Sequence, residues 1–380
     1  MMNPFIDYEN ILNKYESENR FRVLPSDRTC SPCIDMTSND YMGLGARWQE
    51  FMPRFNRRYG DASFSSSASR LLSRRQKHHE MLENLLEGLY DKSVLLFNSG
   101  YHANVGIIQA LAIPDTVFLC DKLIHASMID GLMLAKAEYR RWHHNDVDSL
   151  RRLLERHKDA ARCIVVVESI YSMDGDLAPL SELVSLKAEY PNMLLYVDEA
   201  HAFCCRGDKG LGLAEETGVL EDIDILIGTL GKAAASSGAF VATSPLLKDF
   251  FINCSRSFIF STALPPANAA WSHLMVTEML RMNEQRSHLA EISDRFRKGL
   301  EEITGIRNES RSQIIPLIIG DAERAVHIAA RLSLKGINAL PIRRPTVAAA
   351  SERIRFSLSA DMTEETIDHV VRTIRECLYD

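Results

Sequence analysis

Between residues 94 and 243, six short apolar runs rich in β-branched and aromatic side chains alternate with helical stretches. Strands buried on both faces read as continuous apolar runs, and parallel neighbours need a crossover between them. The pattern therefore specifies a mostly parallel sheet covered by helices on both faces. The runs are residues 94–97, 117–120, 163–167, 194–197, 225–227 and 239–242, and helices are predicted over 148–157 and 180–190. In open sheets of this kind ligands bind at the carboxyl ends of the strands. The residues just past each run are thus the ones to inspect.

After Ser261-Thr262-Ala263-Leu264-Pro265-Pro266 the pattern changes to a long helical stretch, residues 267–303. A smaller α/β unit follows, with strands over 314–319 and 354–358. Its helices run over 322–335, stopped by Gly336, and over 364–379, started by Thr363. With 380 residues, the chain exceeds what one small core organises. The expected division is 1–45 as an N-terminal helix and connecting strand, 46–275 as a large domain, and 276–380 as a small C-terminal domain.

Apolar residues make up 46% and charged residues 25%, ordinary usage that excludes disordered and fibrous classes. The net charge of -7 argues against a nucleic-acid footprint, and the basic clusters at 70–77 and Arg140-Arg141 read as solvated helix faces. No apolar run approaches the roughly 20 residues a membrane-spanning helix needs, and the first residues lack an apolar signal core, so a cytoplasmic location is expected. Eight cysteines are scattered through the chain. Cys30 and Cys33 have metal-knuckle spacing but no second pair, so they read as reduced thiols and no metal site is expected.

Five strand ends carry candidate chemistry. Asn98-Ser99-Gly100-Tyr101 follows the first run and opens a helix, whose free backbone N–H groups make an anion seat. Asp198-Glu199-Ala200-His201 ends the fourth run. Asp198 there suits a protonated ring nitrogen; a magnesium ligand or a helix N-cap would also fit, although no Gly-x-x-x-x-Gly-Lys-Ser/Thr loop accompanies it. His125 and Ser172 also follow strands, and each alone reads more readily as structural. Gly228-Thr229-Leu230-Gly231-Lys232 follows the fifth run, placing a lysine among small residues just past a buried strand. A lysine so placed, with an acid and a histidine ending an earlier strand, is how pyridoxal 5'-phosphate (PLP) is held, and Lys232 is the candidate Schiff-base residue.

From about residue 39 to its end the chain resembles the α-oxoamine synthases, PLP enzymes of the aminotransferase type I fold. The matching pieces include Ser38-Asn39-Asp40-Tyr41-Met42-Gly43-Leu44, Ala68-Ser69-Arg70-Leu71-Leu72-Ser73, Ser99-Gly100-Tyr101-His102-Ala103-Asn104 and Asp121-Lys122-Leu123-Ile124-His125-Ala126-Ser127. They continue with Ser172-Met173-Asp174-Gly175-Asp176, Asp198-Glu199-Ala200-His201, residues 228–232 and residues 261–266. The resemblance implies a large domain with a mostly parallel seven-stranded sheet and a small C-terminal α/β domain. It also implies decarboxylative condensation of an amino acid with an acyl thioester. Pro345-Thr346-Val347 and residues 353–360 point to L-alanine and a pimeloyl donor within the family, whose other members use glycine with acetyl-CoA or serine with a long acyl-CoA.

Residue by residue, the resemblance gives Lys232 the cofactor aldehyde and the substrate Cα proton, and stacks His125 on the cofactor ring. It pairs Asp198 with the pyridine nitrogen, and His201 and Ser172 with the phenolic oxygen. Gly100, Tyr101 and Thr229 would hold the phosphate with Thr262 of the partner subunit, which implies a homodimer. Arg355 and Asn39 would meet the amino-acid carboxylate, with Thr346 and Arg20 at the substrate site. The chain departs from the family where Ser65-Ser66-Ser67-Ala68 replaces a glycine-rich stretch, where Ala233-Ala234-Ala235-Ser236 follows Lys232, and where Arg344 precedes Pro345-Thr346-Val347-Ala348. These positions bear on the acyl channel and leave the PLP chemistry intact.

Overall fold

The computed structural model describes residues 3–24, 33–74 and 76–379. By its contacts the chain divides into two compact units. The larger comprises Asp40–Ser172 and Asp176–Leu289, and the smaller comprises the described residues up to Asn39, Met173–Gly175, and the chain from Ala290 onward. Cys30, one half of the Cys30/Cys33 pair, lies outside the described residues.

The larger unit is built on a seven-stranded sheet. Across it the order is Ser93–Phe97, Ala239–Thr243, Ile225–Thr229, Met193–Asp198, Arg162–Glu168, Thr116–Asp121 and Glu138–Trp142. Ala239–Thr243 runs antiparallel to both its neighbours and the other pairings are parallel. All six apolar runs are strands, buried along most of their length. Gly228 lies directly opposite Phe240, whose ring fills the place a side chain would take, so the glycine before Thr229 is a packing requirement.

The seventh strand, Glu138–Trp142, escapes the sequence pattern. It is the sheet edge, and Glu138, Arg140 and Arg141 stand in solvent, so no apolar run marks it. Arg140 and Arg141 therefore lie on an edge strand and not on the expected helix face. Arg70 corrects the other basic cluster, since its guanidinium makes two 3.0 Å hydrogen bonds to the buried Glu83. The stretch expected as one helix over 267–303 is two, Pro266–Met279 and Asn283–Thr304. Arg286 closes the break: it donates to the Met279 carbonyl at 2.7 Å and to the Asp208 carbonyl at 2.7 Å, taking up a helix-end acceptor that the next turn would have used.

In the smaller unit, Arg353–Ser357 pairs antiparallel with both Leu340–Ile342 and Ile314–Ile318. Asp321 caps Ala322–Leu334, and Thr363 caps Glu364–Tyr379 through its hydroxyl and the Thr366 N–H. Ile34–Asp35 runs parallel to Ile337–Asn338. Among the described residues no helix is long and apolar enough to cross a membrane.

Candidate active site

The carboxyl edge of the large sheet gathers a polar cluster. Asp198 ends its strand buried, with the Ala200 N–H donating to Oδ1 at 2.9 Å and Asn104 Nδ2 donating to Oδ2 at 2.8 Å. Asn104, in the second turn of helix Gly100–Leu111, is itself fixed: its second amide hydrogen goes to Ser127 Oγ at 2.9 Å and its Oδ1 accepts from Tyr196 at 2.7 Å. Ser127 in turn lies 2.8 Å from His125 Nδ1, and His125 is the N-cap of helix Ala126–Ala135. A chain of side chains thus connects Asp198 to His125.

Lys232 Nζ lies 2.8 Å from His201 Nε2, and His201 Nδ1 lies 2.7 Å from the hydroxyl of Tyr41, which is fully buried. His201 therefore bridges an amine and a phenol, and either ring nitrogen can carry the proton. Ser99 caps the helix that begins at Gly100, its hydroxyl accepting the His102 N–H at 3.2 Å. A Cβ built on Gly100 would stand 3.9 Å from Thr229 Oγ1, and one built on Gly231 3.8 Å from the same oxygen. The helix start, Gly231 and the Thr229 hydroxyl border one cradle. Tyr101 offers that cradle its backbone, because its hydroxyl is held by Asp130 at 2.7 Å. Thr262 is exposed, and its carbonyl accepts from Asn98 at 2.7 Å.

Ser172 donates its N–H to Glu168 Oε2 at 3.2 Å, and Glu168 is directly opposite Asp198 in the parallel pairing. Burial and then the charge of Asp198 push the Glu168 carboxyl up to about 8. Glu199, the neighbour of Asp198, is also buried and is raised to about 7, against donors from Ser169, Ala214 and Leu213. A second histidine occupies the next part of the edge. His144 Nδ1 lies 2.9 Å from Asp121 Oδ1 and Nε2 2.7 Å from Asp176 Oδ2, with the Tyr171 ring edge-on at 4.4 Å. Burial alone would lower the His144 pKa, but the two aspartates more than reverse this, to about 10. Tyr41, Asn104, Ser127, Glu168 and His144 carry no role in the sequence reading; the first four lie inside or beside quoted motifs, whereas His144 had no signal.

The smaller unit holds the remaining predicted residues. Arg355, buried on Arg353–Ser357, donates to Asn39 Oδ1 at 3.1 Å. Thr346 is exposed and accepts from Arg22 at 3.3 Å, while Arg20 pairs with Glu18 at 2.7 Å. Arg20, Arg343 and Arg344 line a cavity of about 540 Å³, with Glu18, Asp321 and Glu352. Arg343 donates to the Asn19 carbonyl and has no carboxylate partner among the described residues.

The family model of aminotransferases class I and II matches residues 31–374, and the chain belongs to that family. Among its relatives, a Pasteurella multocida (strain Pm70) protein named "Putative 8-amino-7-oxononanoate synthase" is 43% identical over 97% of this chain and 98% of its own length. A Haemophilus influenzae protein of the same name is 42% identical over 95% and 97%. Serine palmitoyltransferase of Sphingomonas wittichii superposes with a TM-score of 0.87 at 26% identity, over 99% of this chain and 98% of that one. The 8-amino-7-oxononanoate synthase of Francisella tularensis shares the fold, with a TM-score of 0.77 at 24% identity over 91% and 98%. Within the aminotransferase class the chain is an α-oxoamine synthase, an enzyme that works with PLP. The residues present fit that group: an amine for its aldehyde, a fixed carboxylate for its ring nitrogen, and a cradle of backbone N–H and hydroxyl groups for its phosphate.

Proposed function

We propose that the protein condenses L-alanine with a pimeloyl thioester, carried by CoA or by a carrier protein, releasing the thiol and CO2 and forming 8-amino-7-oxononanoate for biotin synthesis. The observation that carries the chemistry is Lys232 hydrogen-bonded to His201, itself bonded to Tyr41, beside an Asp198 whose direction Asn104 sets. PLP, when bound, supplies an electron sink for the negative charge that develops at the substrate Cα. Lys232, His125, Asp198 and His201 are the catalytic residues of this reading. Gly100, Tyr101 and Thr229 hold the phosphate with Thr262 of the partner subunit, and Ser172 and His201 hold the phenolic oxygen.

Arg355 and Asn39 hold the alanine carboxylate, a task suited to a planar guanidinium. Lys232 Nζ takes the Cα proton, and His201 with Tyr41 gives that proton somewhere to go. The Cα carbon then attacks the thioester carbonyl, the thiol leaves, CO2 is lost, and Lys232 returns a proton to Cα. The cavity lined by Arg20, Arg343 and Arg344 supports an acyl chain ending in a carboxylate, and Arg343 is the guanidinium without an acidic partner there. The proposal includes a cytoplasmic homodimer.

Purified protein supplied with PLP should release thiol with alanine and pimeloyl-CoA or its carrier-protein equivalent, and Lys232→Ala should lose turnover by at least about 10³-fold. Arg343→Gln should raise KM for the pimeloyl donor by roughly 10- to 100-fold and leave KM for an uncharged acyl donor in place. The 0.87 TM-score to serine palmitoyltransferase favours one other reading, serine with a long acyl-CoA. Thiol release with that pair, or with glycine and acetyl-CoA, and none with alanine would overturn the proposal.

A further inference from the structure

Glu168 is a buried carboxyl of the sheet edge that the proposed reaction leaves without a task. It ends the strand next to that of Asp198, at the paired register position, and is 2% exposed. Oε2 accepts the Ser172 N–H at 3.2 Å, while Oε1 is buried with no hydrogen-bond partner. A buried acceptor pair facing a second carboxylate is costly in its charged form, and two such groups side by side share one proton more readily than none.

We propose that Glu168 is a proton-carrying positioning residue of the cofactor site: it stays neutral, with its proton on Oε1, so that Asp198 alone presents charge to the ring nitrogen, and its Oε2 fixes Ser172. The groups facing Glu168 come from every neighbouring element. Asp198 lies on the adjoining strand, Asp121 ends the strand on the other side, Tyr171 follows Glu168 in the chain, and Lys232 follows the strand beyond Asp198. Two of these are carboxylates that disfavour ionisation, and Lys232 opposes them with a smaller effect than burial and Asp198. Loss of the proton would set a second negative charge beside Asp198 and load the Ser172 contact, changing the ring electronics without touching substrate.

The inference rests on Asp198 being the cofactor's acid, as under Proposed function, and its first test does not. Infrared spectra of the holoenzyme with 13C-labelled glutamate should show a protonated carboxyl stretch at pH 7 that fades as pH rises through about 8. The component that fades through about 8 should vanish in E168Q, leaving only that of Glu199, which is raised to about 7, and should persist in E199Q. Should E168Q fail to fold, persistence of the fading band in E199Q carries the assignment; its loss there, or its absence from wild type, overturns the proposal.

The second test reads the positioning role. E168Q should keep kcat within about 3-fold of wild type below pH 7 and lose the alkaline fall in kcat, with KM for alanine unchanged. The visible band of bound PLP should no longer move with pH across that range. Wild-type stability conferred by the neutral carboxyl is full below the ordinary glutamate value and lost as pH rises through about 8, so its melting temperature should fall over that window more than that of E168Q. A cofactor band titrating alike in wild type and E168Q would overturn the positioning role even where the infrared result stands.

Discussion

His201 and His144 are both bridged at both ring nitrogens on the same sheet edge, and their partners give them opposite work. His144 is gripped by two aspartates, which hold it charged up to about pH 10 and make it a pin between Asp121, at a strand end, and Asp176, in the loop after Glu168. His201 lies between the Lys232 amine and the Tyr41 phenol, partners that can each give or take a proton. The side chain is identical; carboxylates immobilise its charge, whereas an amine and a phenol leave its proton free to move.

The sharpest way to break this contrast is to replace each histidine by glutamine. His201→Gln should lower kcat by on the order of 10²- to 10⁴-fold while the melting temperature stays close to wild type. An unfolded or strongly destabilised His201→Gln protein would make the two histidines alike. His144→Gln should instead cost about 3 kcal/mol of stability at pH 6, since it leaves two aspartates facing each other with a quarter-exposed gap to relax into. The folded His144 value is raised, so the gap between wild type and this variant is full below about pH 6.5 and closes as pH rises through about 10, which chemical denaturation across pH would record.

Tyr41→Phe removes the far end of the relay and keeps its packing. A kcat loss of roughly 10-fold with unchanged alanine KM is expected, and no change would confine proton movement to Lys232 and His201. Ala235, three residues past Lys232, has φ of 47, a left-handed conformation that suits glycine. Ala235→Gly should raise stability by about 0.5 kcal/mol, the relief of strain less the added freedom of the unfolded chain, with kcat within about 2-fold. A larger fall in kcat would show that loop stiffness positions the amine.

Lys232, Asp198 and the sheet were legible because they sit in local patterns. Lys232 and Asp198 each follow a buried apolar run, and small residues around Lys232 left its position little choice. His144 was not legible because its partners lie 23 and 32 positions away, and only the fold brings Asp121 and Asp176 to it. Glu168 directly follows the apolar run 163–167, but its meaning depends on strand register against Asp198, which sequence does not print. The edge strand Glu138–Trp142 failed for the reverse reason: a strand with solvent on its side chains has no apolar pattern to read. Ser67 and Ala235, in two of the stretches where the chain departs from the resemblance, take the left-handed backbone that glycine adopts most easily, with φ of 52 and 47.

Asn104 is held at both ends of its amide: its two hydrogens go to Asp198 and Ser127, and its carbonyl oxygen accepts from Tyr196. The aim of the acid is therefore decided when the chain folds and not when a ligand arrives. Its orientational entropy is surrendered once in the lifetime of the molecule, and no turnover has to surrender it again.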